Sequence, residues 1–390
     1  MTQANVLAQL GAQSGPTFRN RIINGAMVID QRNAGASVTP TTLYSTYTLD
    51  RWQSNYTSGS KFSVQQNAGS VTPPAGFTNY LGVTSLSAYS VPSGELYRMV
   101  QQIEGYNIAD LGFGTANAKT VTLSFWVRSS LTGTFGGAFL NSDASRSYPF
   151  NYTISSANTW EQKTVTIAGD TTGTWNTTNG SGLQVDFALG VGATYSGTAG
   201  SWSGSVYYSA TGSTNILGTN GATFYITGVQ LEVGSSATGF EYVNYQTSLA
   251  NCQRYYAKLG GTTATETLCL GFATDLATAQ YYCVYFPVTM RSAPTAAYSS
   301  VNTTDLANGS VTVNSIRGQL SGVNTCQLGF NTSSAAWLTT YNPMAAITAT
   351  TAGVDGVGRN NGYIMASQNQ CLGQKGVVLP SGNLFWGKKR

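Results

Sequence analysis

Residues 121–128 read Val-Thr-Leu-Ser-Phe-Trp-Val-Arg, with apolar side chains on every second position. A period of two is the signature of a strand with one dry face, because successive side chains leave opposite sides of the backbone. Val121, Leu123, Phe125 and Val127 therefore belong to a core. Thr122, Ser124, Trp126 and Arg128 belong to the opposite face. Residues 183–189 repeat the scheme, which sets Gln184 and Asp186 outward. If the two strands share one sheet, Arg128 and Asp186 pair on a face that also displays Trp126. Further strands are expected over 62–65, 96–104 and 224–233. Between them Gly, Thr, Ser and Asn fill the turns, notably over 171–180 and 193–204.

Roughly eight to ten strands over residues 20–245 suit an all-β fold, an antiparallel jelly-roll β-sandwich. A short N-terminal arm, residues 1–19, precedes it, with a turn or two of helix through Val6, Leu7 and Leu10 before Gly11. A second, smaller β-rich domain is expected over 246–390. Its strands include residues 281–286, 311–313, 326–330, 336–338 and 362–364, and a brief helix or turn over 249–256 leads into it. No period of 20–50 residues repeats, so the chain is not a solenoid.

Composition narrows the chemistry. Histidine is absent, which removes Ser-His-Asp, Cys-His and His-metal sites together. A hydrolase would need paired carboxylates. The nearest spacings, Glu95 with Glu104 and Glu232 with Glu241, match no glycosidase pattern. The chain is read as no enzyme, with no catalytic residues, no metal and no cofactor. Its net charge of +4 is small and gathers partly at Lys388-Lys389-Arg390, so nucleic acid is not an expected partner. No apolar run is long enough to insert in a membrane, and residues 2–14 lack the basic flank and apolar core of a signal peptide. Charged residues make up 9% of the chain, against about 25% in ordinary globular proteins, which favours burial of surface in an oligomer. The five cysteines, Cys252, Cys269, Cys283, Cys326 and Cys371, are odd in number with no Cys-x-x-Cys spacing. They are expected to be reduced and buried. Asp50 and Arg51, the sharpest charges of an uncharged region, are expected to form a structural pair at the edge of the sandwich.

Several blocks resemble known families. Gly228-Val-Gln-Leu-Glu-Val-Gly234, Phe240-Glu-Tyr242 and Cys252-Gln-Arg-Tyr-Tyr256 resemble a recurrent block in tail-fibre and related virion proteins of tailed bacteriophages. Phe286-Pro-Val288, Met290-Arg291 and Ala293-Pro294 continue that resemblance. So does the opening, Asn20–Met27, Ile29–Asn33 and Leu49–Trp52. The opening, the Ser124–Ser129 strand and the closing Val229–Glu232 strand are also similar to galactose-binding-like jelly rolls of carbohydrate-binding modules. Such jelly rolls often carry an Asp near the start of the closing strand for a structural calcium. Here Ile226-Thr227-Gly228 offers no carboxylate, and calcium is not assigned.

The phage resemblance implies a virion structural protein, assembled in the host cytoplasm. The expected form is a homotrimeric tail fibre that attaches to a host surface glycan or protein receptor. Residues 1–19 would dock it on other tail or virion proteins, and the C-terminal domain would be the tip. The alternative is a fibre that decorates capsid or tail without binding a receptor, and a third reading is a surface-polysaccharide depolymerase. Exposed aromatics among amides and hydroxyls suit saccharides, since a ring covers the apolar face of a sugar while amides bond its hydroxyls. Trp126, followed by Arg128, is the candidate ligand-binding residue.

Overall fold

A computed structural model describes residues 18–41, 44–260, 266–273, 279–304, 310–332, 343–348 and 363–367. The expected arm helix, the strand over 336–338 and the basic terminus lie outside the described residues. Those described fall into two compact units, divided between Tyr245 and Gln246. Among them no helix is long and apolar enough to cross a membrane.

The first unit is an antiparallel β-sandwich, as the alternation predicts. In chain order its strands are β1 (Tyr44–Leu49), β2 (Trp52–Tyr56), β3 (Phe62–Gln66), β4 (Leu81–Ser85), β5 (Leu96–Glu104), β6 (Val121–Ser129) and β7 (Gly133–Leu140). They continue with β8 (Ser147–Ile154), β9 (Glu161–Ile167), β10 (Ser181–Val191), the two-residue β11 (Ser196–Gly197) and β12 (Ser209–Ala210), and β13 (Thr223–Val233). One sheet runs β1-β2-β5-β10-β7-β8 and the other β3-β4-β13-β6-β9. Their inner faces meet through aromatic rings. Phe125 of β6 crosses to Phe187 of β10 and Tyr152 of β8, with centroids 5.0 and 4.9 Å apart in edge-to-face geometry. Phe224 of β13 stacks on Phe135 of β7. Each such ring, removed from water, contributes about 1.5–3 kcal/mol, and the edge-to-face contacts add to that.

The shared-sheet arrangement of Arg128 and Asp186 does not occur. β6 lies in the five-stranded sheet and β10 in the six-stranded one. Asp186 is fully buried, not outward in water. It pairs with Arg98 of the neighbouring β5, and the ring of Tyr208 lies 3.8 Å from the Arg98 guanidinium carbon. The segment carrying Tyr195 and Tyr208 folds over Leu96, Ala138 and Leu140 and forms a small apolar cluster on what alternation marks as the outer face. Alternation identifies the two faces of a strand, but a loop can bury the second face.

The second unit opens with α1 (Tyr245–Gln253), which starts four residues before the helix expected at 249. Its strands are β14 (Tyr256–Gly260), β15 (Thr267–Ala273), β16 (Ala279–Tyr285), β17 (Thr295–Ser299), β18 (Val301–Thr304) and β19 (Ser310–Ser321). β20 (Thr325–Thr332), β21 (Pro343–Thr348) and β22 (Tyr363–Ser367) complete it. β15-β16-β20-β19-β18-β21 close into a barrel, and β14-β22-β17 form a small sheet. Tyr282, Val284, Leu328 and Phe330 fill the barrel. Cys252, Cys269 and Cys326 are buried, but Cys283 is exposed, because residue 283 of β16 alternates outward between buried Tyr282 and Val284. Cys371 lies outside the described residues.

Candidate functional site

The opening and closing sequence blocks meet in space. The backbone N–H of Arg21 donates to Leu231 O, and Asn20 Nδ2 donates to Val229 O. The Asn24-Gly25 turn presses on the closing strand, where Val229 N–H donates to Gly25 O. A Cβ on Gly25 would sit 2.1 Å from Val229 O, so only glycine permits this approach. Asn24 is buried, donates to the carbonyls of Ile29 and Asp50, and accepts from Ile29 N–H. The Trp52 indole N–H donates to Asn24 O. These motif residues therefore close the sandwich and offer a ligand nothing.

Asp50 and Arg51 are both buried, but the contacts that hold them are made with other residues than each other. Asp50 accepts from the backbone N–H and side-chain amide of Gln31 at 2.7 Å each. Arg51 donates to Gln102 O. The carboxylates at the weighed spacings are also engaged. Glu95 accepts from the hydroxyls of Tyr89 and Tyr97, and Glu232 accepts from Thr238 and Gln230. Glu241 accepts from Asn20 N–H, and Glu104 is buried. Among the described residues no three acids or cysteines cluster as metal ligands.

Trp126 and Arg128 lie on the outer face of the five-stranded sheet, each half-buried. Trp126 stands opposite Thr227 of β13 and the exposed Gln162 of β9, and Arg128 stands opposite Tyr225. Arg128 Nε donates to Asn158 O at 2.9 Å, and its guanidinium lies 5.5 Å from the Tyr225 ring centroid. Beyond Arg128, Tyr225, Tyr80 and Trp160 follow one another at 5.1 and 5.5 Å. The Trp160 indole donates to Thr72 O, and the Tyr80 hydroxyl donates to Ala68 O and accepts from Val71 N–H. These bonds tie the 68–72 segment over the rings, and Tyr80 and Tyr225 are buried.

On the other side of Trp126, β13 carries a bulge between Thr227 and Gln230. Gly228 sits there at φ +61°, and a Cβ on it would lie 2.6 Å from the Phe77 ring and 3.1 Å from Trp126. The missing side chain leaves room for Phe77 and Trp126 both to close on Gly228. Phe77, Phe240 and Tyr242 then form a three-ring cluster with centroids 5.0–5.7 Å apart. Tyr242 is 62% exposed. Together these rings make an aromatic strip along one sheet face, buried at its Tyr80 end and open at its Tyr242 end. Gln162 and Thr164 stand exposed beside it, and Thr78 and Asn79 add further hydroxyl and amide groups. Such a surface can stack on the C–H faces of sugars and bond their hydroxyls.

Sequence reasoning singled out Trp126 and Arg128 as outward residues and did not single out their neighbours. Tyr225 was legible, since Phe224 and Ile226 on either side point inward. Phe77 and Tyr80 come from an irregular segment with no periodicity to place them.

A shallow cleft of about 300 Å³ lies elsewhere, lined by Phe18, Arg19, Arg21, Asp110, Lys119 and Val233. Its charges are mutually engaged. Arg21 and Lys119 reach Asp110 at 2.9 and 3.8 Å, and Arg19 reaches Glu232 at 3.7 Å.

No protein-family model matches the chain, and no curated protein matches it. Among solved structures, the enzymatically active domain of tailspike protein 4 from bacteriophage CBA120 is similar over 55% of this chain and 21% of its own, at 12% identity and TM-score 0.29. A family 11 carbohydrate-binding module from Clostridium thermocellum, solved with a mixed-linked tetrasaccharide, is similar over 52% of this chain and all of its own, at 10% identity and TM-score 0.27. The N-terminal cellulose-binding domain of a Cellulomonas fimi β-1,4-glucanase covers 42% of this chain and 82% of its own, at 15% identity and TM-score 0.22. This chain thus spans about a fifth of the tailspike chain, and every one of these likenesses is distant.

Proposed function

We propose that this protein is a glycan-binding structural component of a tailed-phage particle. In this reading it is a homotrimeric tail fibre that attaches the virion to the host surface through the aromatic strip of its sandwich. The ordered blocks at 20–33, 49–52, 228–256 and 286–294 support the phage setting. Residues 1–19 would join the fibre to other virion proteins, and the second unit would form its tip. The observation that carries glycan binding is the run of rings from Trp126 through Phe77 and Phe240 to the exposed Tyr242, with Gln162 beside it. The ligand class is a neutral saccharide, because the exposed polar groups beside Trp126 and Phe77 are the amide of Gln162 and the hydroxyls of Thr164 and Thr78. Each site would be weak alone, and three per fibre supply avidity.

Titrating purified protein against host cells and a panel of neutral polysaccharides tests this. Saturable binding is expected, with Tyr242→Ala weakening it about fivefold, roughly 1 kcal/mol for one lost ring. Saturable binding that Tyr242→Ala leaves untouched removes the strip from the mechanism.

One observation favours a second reading. The Tyr80 end of the strip is tied under the 68–72 segment and acts as a small core. If that is the role of the whole face, the protein is a decorating fibre without a receptor. Absence of binding to cells and to every glycan would favour that version.

A further inference from the structure

Beyond the sandwich, the barrel presents a face that water alone does not explain. On β15 and β16 the inward positions Cys269, Ala273, Tyr282 and Val284 are buried, and the alternate positions turn out. On these strands and on β19, large apolar side chains stand outward. Leu270 is 69% exposed, Phe272 44%, Tyr285 74% and Leu320 72%. They are also in register. Leu270 stands opposite Cys283, Cys283 opposite Gln327, and Gln327 opposite Leu320, one row across four neighbouring strands. Phe272 opposite Tyr281 and Tyr285 opposite Thr325 form the flanking rows. Folded monomers rarely leave contiguous apolar patches of more than roughly a few hundred Å² uncovered.

We propose that this face, formed by β15, β16, β20 and β19, is where copies of the chain meet. The inference rests on the self-association included in the proposed function and names its surface. Charge decides for a second copy over a foreign partner. Selection of a foreign partner is written largely in complementary charge, and no residue of these three rows carries one. Where the same face of every copy turns toward a shared symmetry axis, like charge would meet like, and a row of Leu, Cys, Gln and Leu carries none. The free, exposed thiol of Cys283 lies within the row, so contact between copies would cover it.

The test uses the full chain. Light scattering at micromolar concentration should give a multiple of the 41.1 kDa protomer mass. The double variant Leu270→Glu/Leu320→Glu should fall to the protomer mass with its circular dichroism and cooperative unfolding retained. A second readout needs no substitution: maleimide labelling followed by peptide mass spectrometry. Cys283 in the oligomer should label at least about tenfold more slowly than in protein diluted to monomer. An oligomer that survives both glutamates, or in which Cys283 labels as fast as in the diluted protein, overturns this surface and leaves self-association standing. A wild-type monomer overturns both.

Discussion

Asp50 is an acid placed where its charge is disfavoured. Burial raises its pKa from 3.8 to about 6, against the opposing pull of Arg32 and the two hydrogen bonds from Gln31. The native protein therefore holds that proton more tightly than the unfolded chain does. Its contribution to stability is complete below about pH 4 and is lost as the pH rises through 6. Asp50→Asn is expected to flatten the pH dependence of the melting temperature across this window, measured by calorimetry between pH 4 and 7. An unchanged slope would show that other groups set it. In the sequence, Asp50 stood out for its charge in an uncharged stretch, and its structural role was legible. Its partner was not, because Gln31 reaches it through the folding of the Asn24–Gly35 turn region and not through adjacency in the chain. Trp126 and Arg128 were legible as outward residues for the same reason that Val127 was legible as core. The rings that surround them come from three distant segments.

At the level of elements, β6 and β10 carry the same alternation, and the difference between them is topological. The buried Arg98–Asp186 pair on β5 and β10 follows from that topology. Removing one partner strands a buried charge, whereas replacing both with apolar side chains leaves none. Asp186→Ala should destabilise the protein by about 3–5 kcal/mol, and Arg98→Met/Asp186→Leu should restore most of that loss. Urea denaturation of the single and double variants measures it. A double variant as unstable as the single one would mean that the pair is needed for the packing of Tyr208 and its segment. Periodicity reveals which residues share a face of a strand. It carries no information on which strand lies alongside, nor on whether a loop such as 193–214 will cover the second face.

For the whole molecule, the division between Tyr245 and Gln246 leaves the sandwich with its own aromatic core. A chain ending at Tyr245 is expected to fold alone, with a single cooperative thermal transition and dispersed amide resonances. Loss of cooperativity in that fragment would show that the second unit completes the first. The same fragment, compared with the full chain on host cells, tells whether attachment needs the second unit. Low charge, absent histidine and two-residue periodicity belong to the sequence alone. They were enough to determine an all-β chain, a sandwich with strands over 121–128, 183–189 and 224–233, and chemistry without a histidine. They act locally or by composition, so no folding was needed to read them. The tertiary structure decided what depends on contacts between residues far apart in the chain. It separated Arg128 from Asp186, sewed the opening turn onto the closing strand, gathered Phe77, Phe240 and Tyr242 beside Trp126, and aligned Leu270, Cys283 and Leu320 in one row. Strand register and loop closure set those contacts, and neither has a local signature in the order of the residues.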